Sequence, residues 1–166
     1  EAMEGKSLNE VATSVNISPK TLSMIWSWSP DKGYHIGPQT LLTLKRALPL
    51  LDTARLYRSL NPNLPDFFPE LKDGKGRLSI TDDLIAQAES FDLRKEIDTL
   101  LAQGVSQAEI ARRFGVTPRM VFLYRTSGVQ IQDDRTLLNI AEAIEVDPRV
   151  LYLHYRPELP ELTKPV

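Results

Sequence analysis

The chain has 166 residues, with 20 Lys plus Arg against 22 Asp plus Glu and a formal charge of −2. That length holds one large domain or two small ones, and the near balance of charge excludes a global field that draws the protein to nucleic acid, so any such face must be local. The absence of cysteine excludes disulfides and thiolate metal sites, and no apolar run approaches the roughly 20 residues that cross a bilayer.

In chain order, Gly5 to Leu22, GKSLNEVATSVNISPKTL, predicts two short helices around a tight turn. Ser7 and Glu10 stand at capping-box spacing, where a hydroxyl caps the first free amides and an acid three residues on reaches back. Asn16 follows the apolar Val11, Ala12 and Val15, and asparagine enters the left-handed region more readily than most residues. Ser18 can then cap a second helix that starts at Pro19, where no amide hydrogen is needed. Ser23, Met24, Ile25, Trp26, Ser27 and Trp28 continue it into a Pro/Gly-rich loop, SPDKGYHIGPQ. Leu44, Ala47 and Leu48 mark the buried stripe of a later helix, and Leu56-Tyr57 lead to YRSLNPNLP.

Residues 61–80, with three prolines and two glycines, predict a connector without long helix. Phe67 and Phe68 are expected to dock on a domain, because burying each is worth roughly 1.5–3 kcal/mol. Thr81-Asp82-Asp83 predicts a helix over about 82–90, with two acids complementing its dipole. Asp92 caps a further helix with Leu93, Ile97, Leu100 and Leu101 inward, ended by Gly104.

Ser106 to Arg125, SQAEIARRFGVTPRMVFLYR, repeats the first motif at an offset of 99 residues. Ser106 and Glu109 form the capping box, Ile110, Ala111 and Phe114 the stripe, and Gly115 the left-handed exit. Thr117 and Pro118 start the second helix, with Val121 and Tyr124 inward. Beyond it the register resumes with Thr40-Leu41-Leu42 against Thr136-Leu137-Leu138 at an offset of 96, then Leu56-Tyr57 against Leu151-Tyr152 at 95. The first copy thus carries three extra residues after its second helix, and the duplication includes its own end, YRSLNPNLP and YLHYRPELP. In the first copy, the counterpart of the helix capped by Asp92 would precede Ala2, so residues upstream of Glu1 are expected.

Residues Ser106 to about Leu151, SQAEIARRFGVTP followed by TLLNIAEAIEVDPRVL, resemble the Cro/CI-type (XRE-like) helix-turn-helix domain of phage and bacterial regulators. The resemblance implies an all-α protein of two tandem helix-turn-helix domains, about five short helices each. The boundaries read as 1–65 for the first domain, its first helix missing or truncated, 66–80 for the connector, and 81–166 for the second domain with a Pro-rich tail. It implies duplex DNA as the partner and transcriptional regulation as the role, in the cytoplasm of a bacterial, phage or plasmid setting. A short turn between helices presents the second one to the major groove. Two linked copies gain avidity and suit a bipartite operator. The sequence departs from the family pattern at Met120, Phe122 and Leu123, where polar base-reading side chains are usual.

On that reading the DNA-contacting residues of the second copy are Gln107, Arg112, Arg113, Thr117, Arg119, Phe122, Leu123 and Arg125. Those of the first are Ser18, Lys20, Thr21, Ser23 and Ser27. Arginine suits paired bonds to guanine or phosphate, and an apolar side chain can meet a thymine methyl. The competing reading makes these helices a protein-interaction module, motivated by Phe122, Leu123, Met24 and Trp26 and by the acidic balance. A homodimer or another protein partner is compatible with either reading. His35 and His154 have no neighbours at metal-ligand spacing, and no nucleophile motif or phosphate-cradling loop is present. No enzymatic activity, cofactor or membrane partner is expected.

Overall fold

The computed structural model describes residues 7–14, 16–26, 38–47, 52–72 and 78–163. Every regular element among them is helical, as expected. None of the described helices is long and apolar enough to cross a membrane. Ser27, Trp28 and His35 lie outside the described residues, as do the side chains of Met24 and Trp26.

The chain divides into two units, one of Glu1–Leu64 with Glu158–Val166 and one of Pro65–Pro157. The first holds α1 (Leu8–Ser14), α2 (Pro19–Trp26), α3 (Pro38–Ala47), α4 (Thr53–Leu60) and, from the far end of the chain, α12 (Leu159–Thr163). α1 begins with a complete capping box: the Ser7 amide donates to Glu10 Oε2 at 2.7 Å, and the Glu10 amide to Ser7 Oγ at 3.3 Å. Asn16 takes φ 51°, the left-handed exit expected of it, and the Thr21 amide donates to the Ser18 cap at 3.0 Å. Val11, Ala12, Leu22, Leu41, Leu44 and Tyr57 are buried.

The terminal segment, placed by sequence with the second domain, packs in the first unit instead. α12 lies on α3 and α4 with Leu159 and Leu162 buried. A short helix leaves its last carbonyls without partners of its own. Here Lys45 Nζ donates to Glu161 O at 2.5 Å and Leu162 O at 3.3 Å, and buried Thr53 Oγ1 donates to Leu162 O at 3.0 Å.

α5 (Leu64–Phe67) starts on the last residue of the first unit. The second unit continues with a 3-10 turn (Pro69–Leu71), α6 (Asp82–Ser90), α7 (Leu93–Ala102), α8 (Gln107–Phe114), α9 (Pro118–Ser127), α10 (Asp134–Ala143) and α11 (Pro148–Tyr155). Among its described residues the connector therefore has short helical turns and no long helix. Thr81 and Asp92 cap α6 and α7 as expected, accepting from the amides of Leu84 and Arg94 at 3.2 and 3.0 Å. Phe67 and Phe68 are buried against Tyr152, with ring centroids 4.5 and 5.8 Å away. On α7, Leu93 and Ile97 are buried, whereas Leu100 and Leu101 remain half-buried and contribute less to the inner face than expected.

Several helix ends share one closure. The amides of Ile17, Val105, Val116 and Val146 donate to the carbonyls five residues back, Ala12, Leu100, Ala111 and Ala141, at 3.0–3.1 Å. Each bond follows a left-handed residue, respectively Asn16, Gly104, Gly115 and Glu145. This is the Schellman arrangement, whose apolar residue packs back on the helix it ends. Glu145, at φ 55°, holds that position with a side chain for which the conformation is strained.

Candidate nucleic-acid interface

The two helices of each copy are set by their turns. In the second unit Ser106 caps α8, accepting from the Glu109 amide at 3.2 Å, and Gly115 ends it at φ 69°, ψ 31°. Thr117 caps α9, accepting from the Met120 amide at 3.3 Å, with Pro118 at its first position. Val121 and Tyr124 are buried. The opposite face of α9 carries Arg119, Phe122 and Thr126, all exposed, at the i, i+3 and i+7 positions of one stripe. Phe122 is 51% exposed, an apolar ring left in water.

The arginines expected at this face divide by partner. Arg112 and Arg113 both turn to Glu109, at 2.7 and 2.9 Å, so the second capping box is only half made: the Glu109 carboxylate leaves the Ser106 amide for two guanidinium groups. Bonds between charged groups outcompete a neutral amide when both are in reach. Arg125 pairs with Asp98 of α7 at 2.6 Å and ties α9 to that helix. Among the described residues Arg119 has neither an ion pair nor a hydrogen-bond partner, and it sits on a helix whose sequence, PRMVFLYRTS, contains no acid.

Gln107 Nε2 donates to Pro118 O at 2.7 Å, so this side chain holds the start of α9 against α8. Leu123 is half-buried beside exposed Phe122. In the first unit Ser18 Oγ and Thr21 Oγ1 lie 2.7 Å apart at the start of α2, Ser23 is exposed, and Lys20 is exposed with no partner among the described residues. The α2 sequence, PKTLSMIW, likewise contains no acid.

Asn139 on α10 also shapes this region, and the sequence reading passed over it. Its amide donates to Phe114 O at 3.3 Å, and its Nδ2 lies 2.6 Å from where a Cβ on Gly115 would be. It fastens the carbonyl end of α8 just where the chain turns toward α9. The only sequence signal was a polar residue inside the apolar stripe of α10.

The two arginines hold the Glu109 carboxyl at about 2, well below its ordinary value of 4.5. A carboxylate lowered in the folded state stabilises fully above its unfolded pKa and loses that contribution as pH falls through the folded one, here between 4.5 and about 2. A carbon-detected NMR titration is expected to place the Glu109 midpoint near 2. A midpoint near 4.5 would show that the two arginines are free in solution.

Against protein-family models, curated proteins and solved structures, the chain matches none.

Proposed function

We propose that the protein binds duplex DNA through two helix-turn-helix units of Cro/CI-like type, α1–α2 and α8–α9, and regulates transcription from a bipartite operator. The observation that carries this reading is the pairing of a capped, left-handed turn with an outward helix whose first cation has no partner among the described residues. Arg119 and Lys20 occupy that place in register in the two copies. A guanidinium with no acid beside it is free to take a guanine edge or a phosphate. Gln107 and Asn139 hold the turn and the helix start that aim Arg119 outward.

The test is selection from a random duplex DNA pool at two salt concentrations. A bipartite motif, with affinity falling steeply as salt rises, is the expected result. No enrichment, with weak binding even at low salt, refutes the reading. Arg119→Ala is expected to cost about 1–3 kcal/mol and relax preference at one position if it reads a base, whereas Lys20→Ala lowers the salt slope by about 1 if Lys20 meets a phosphate. Unchanged affinity, preference and slope would remove both from the contact list.

The exposure of Phe122 favours a second reading, in which α9 seats a protein partner. Phe122→Ala would then abolish a complex with another regulator while leaving the fold intact.

A further inference from the structure

The ends of the two copies are the most similar part of the duplication outside the turns. Leu64-Pro65-Asp66-Phe67 stands in register with Leu159-Pro160-Glu161-Leu162, and each stretch forms a short helix, α5 and α12. The two apolar anchors of each, three residues apart, are buried. Yet α12, and the first segment from Pro65 onward, pack away from the copy whose sequence they end, while Leu64 stays in the first unit. α12 closes the second copy in sequence and belongs to the first unit, where Lys45 and Thr53 hold its last carbonyls. There Arg46 also pairs with Glu161 at 3.1 Å, and Gln39 Nε2 donates to Glu158 Oε1 at 2.7 Å. Phe67 and Phe68 close the first copy and lie in the second unit, against Tyr152, which stands in register with Tyr57.

We propose that the two copies are interlocked halves. Each supplies its end as the ligand of the other: α12 for the groove of α3 and α4, and the Phe67-Phe68 end of the first copy for the Tyr152 face of α11. The contacts are those of a bound peptide. On α12 the anchors Leu159 and Leu162, one helical turn apart, are buried, a lysine and a hydroxyl take the carbonyls and an arginine meets the acid. At the other end the adjacent Phe67 and Phe68 rings are buried against Tyr152. A covalent link between the halves raises the effective concentration of each segment at its site. The partner that each half recognises is therefore the other half.

The test replaces residues 73–77 by a protease recognition sequence in the full chain, cuts the folded protein, and measures mass by light scattering on a sizing column at micromolar concentration. The cut halves are expected to travel as one particle with the mass of the uncut chain. Leu162→Ala combined with Phe68→Ala, which truncates one anchor in each segment, is expected to weaken the association of the cut halves at least tenfold. Ile140→Ala, equally buried but outside both segments, is expected to leave them together. Circular dichroism before cutting establishes that each variant is folded. Where the anchor variant is not, Lys45→Met with Thr53→Val removes the carbonyl contacts while keeping the apolar cores, with the same weakening expected. Separation of the cut unmutated halves overturns the proposal. So does an anchor or carbonyl-contact variant that holds together as tightly as the unmutated pair, or a loss in Ile140→Ala as large as in the anchor variant.

Discussion

Tyr152→Ala is expected to remove about 3–5 kcal/mol from the second unit, the range for truncating a fully buried aromatic side chain. The Tyr152 ring is 0% exposed and meets Phe67 tilted at 4.5 Å and Phe68 edge-on at 5.8 Å. The Arg156 guanidinium carbon lies 4.8 Å from its centroid, in a group that also pairs with Asp134 at 2.8 Å. Each aromatic pair adds about 0.5–1.5 kcal/mol beyond burial, and a partly desolvated cation over the ring adds about 0.5–2 kcal/mol. Small domains have about 5–15 kcal/mol in all, so the substitution takes a large share. Urea unfolding followed by two probes tests this, because both tryptophans, Trp26 and Trp28, fall before residue 64 in the sequence, whereas circular dichroism reports every helix. The transition in circular dichroism should move to lower urea further than the transition in tryptophan fluorescence. A loss below about 1 kcal/mol would mean that the site collapses around the missing ring.

Gly115→Ala is the second large effect, expected at about 2–3 kcal/mol and, if the proposed DNA-binding function holds, with a matching loss of affinity. The left-handed backbone at φ 69° costs an alanine about 1–2 kcal/mol. The new methyl also meets Asn139 Nδ2 at 2.6 Å and pushes it off Phe114 O, which forfeits a hydrogen bond worth about 0.5–1.5 kcal/mol. The first copy suggests the rescue. Its turn residue, Asn16, carries a Cβ at φ 51°, and the residue in register with Asn139 is the shorter Thr43. Gly115→Ala with Asn139→Thr should therefore be more stable than the sum of the two single changes, since the crowding is counted only once. Strict additivity would show that backbone strain is the whole effect.

Helix starts were legible because capping is a local rule. Thr81, Asp92, Ser106 and Thr117 announce themselves by side chains that reach amides two or three residues on, and each does so. Asn16 was legible for the same reason, through its own backbone preference. Glu145 was not, because the Schellman closure imposes left-handed geometry on a residue that does not seek it. Glu109 had an amide and two guanidinium groups in reach, and spacing alone could not rank them. Arg125 meets an acid 27 residues away, and only packing brings α7 under α9. The destination of α12 was hidden for a further reason. Self-similarity assigns a segment to its copy, but two similar copies offer two similar grooves, and nothing local to LPEL chooses between them.

The membership of residues 158–166 in the first unit bears on how such a gene can change. A duplication normally leaves a spare copy, which a premature stop can delete without harm to the other. Here a stop codon anywhere in the second copy also takes away Leu159 and Leu162, and with them part of the buried core of the first unit. Loss of the later copy damages the earlier one, so reading frames that retain the codons for residues 159–162 are favoured for the sake of residues encoded more than a hundred codons upstream.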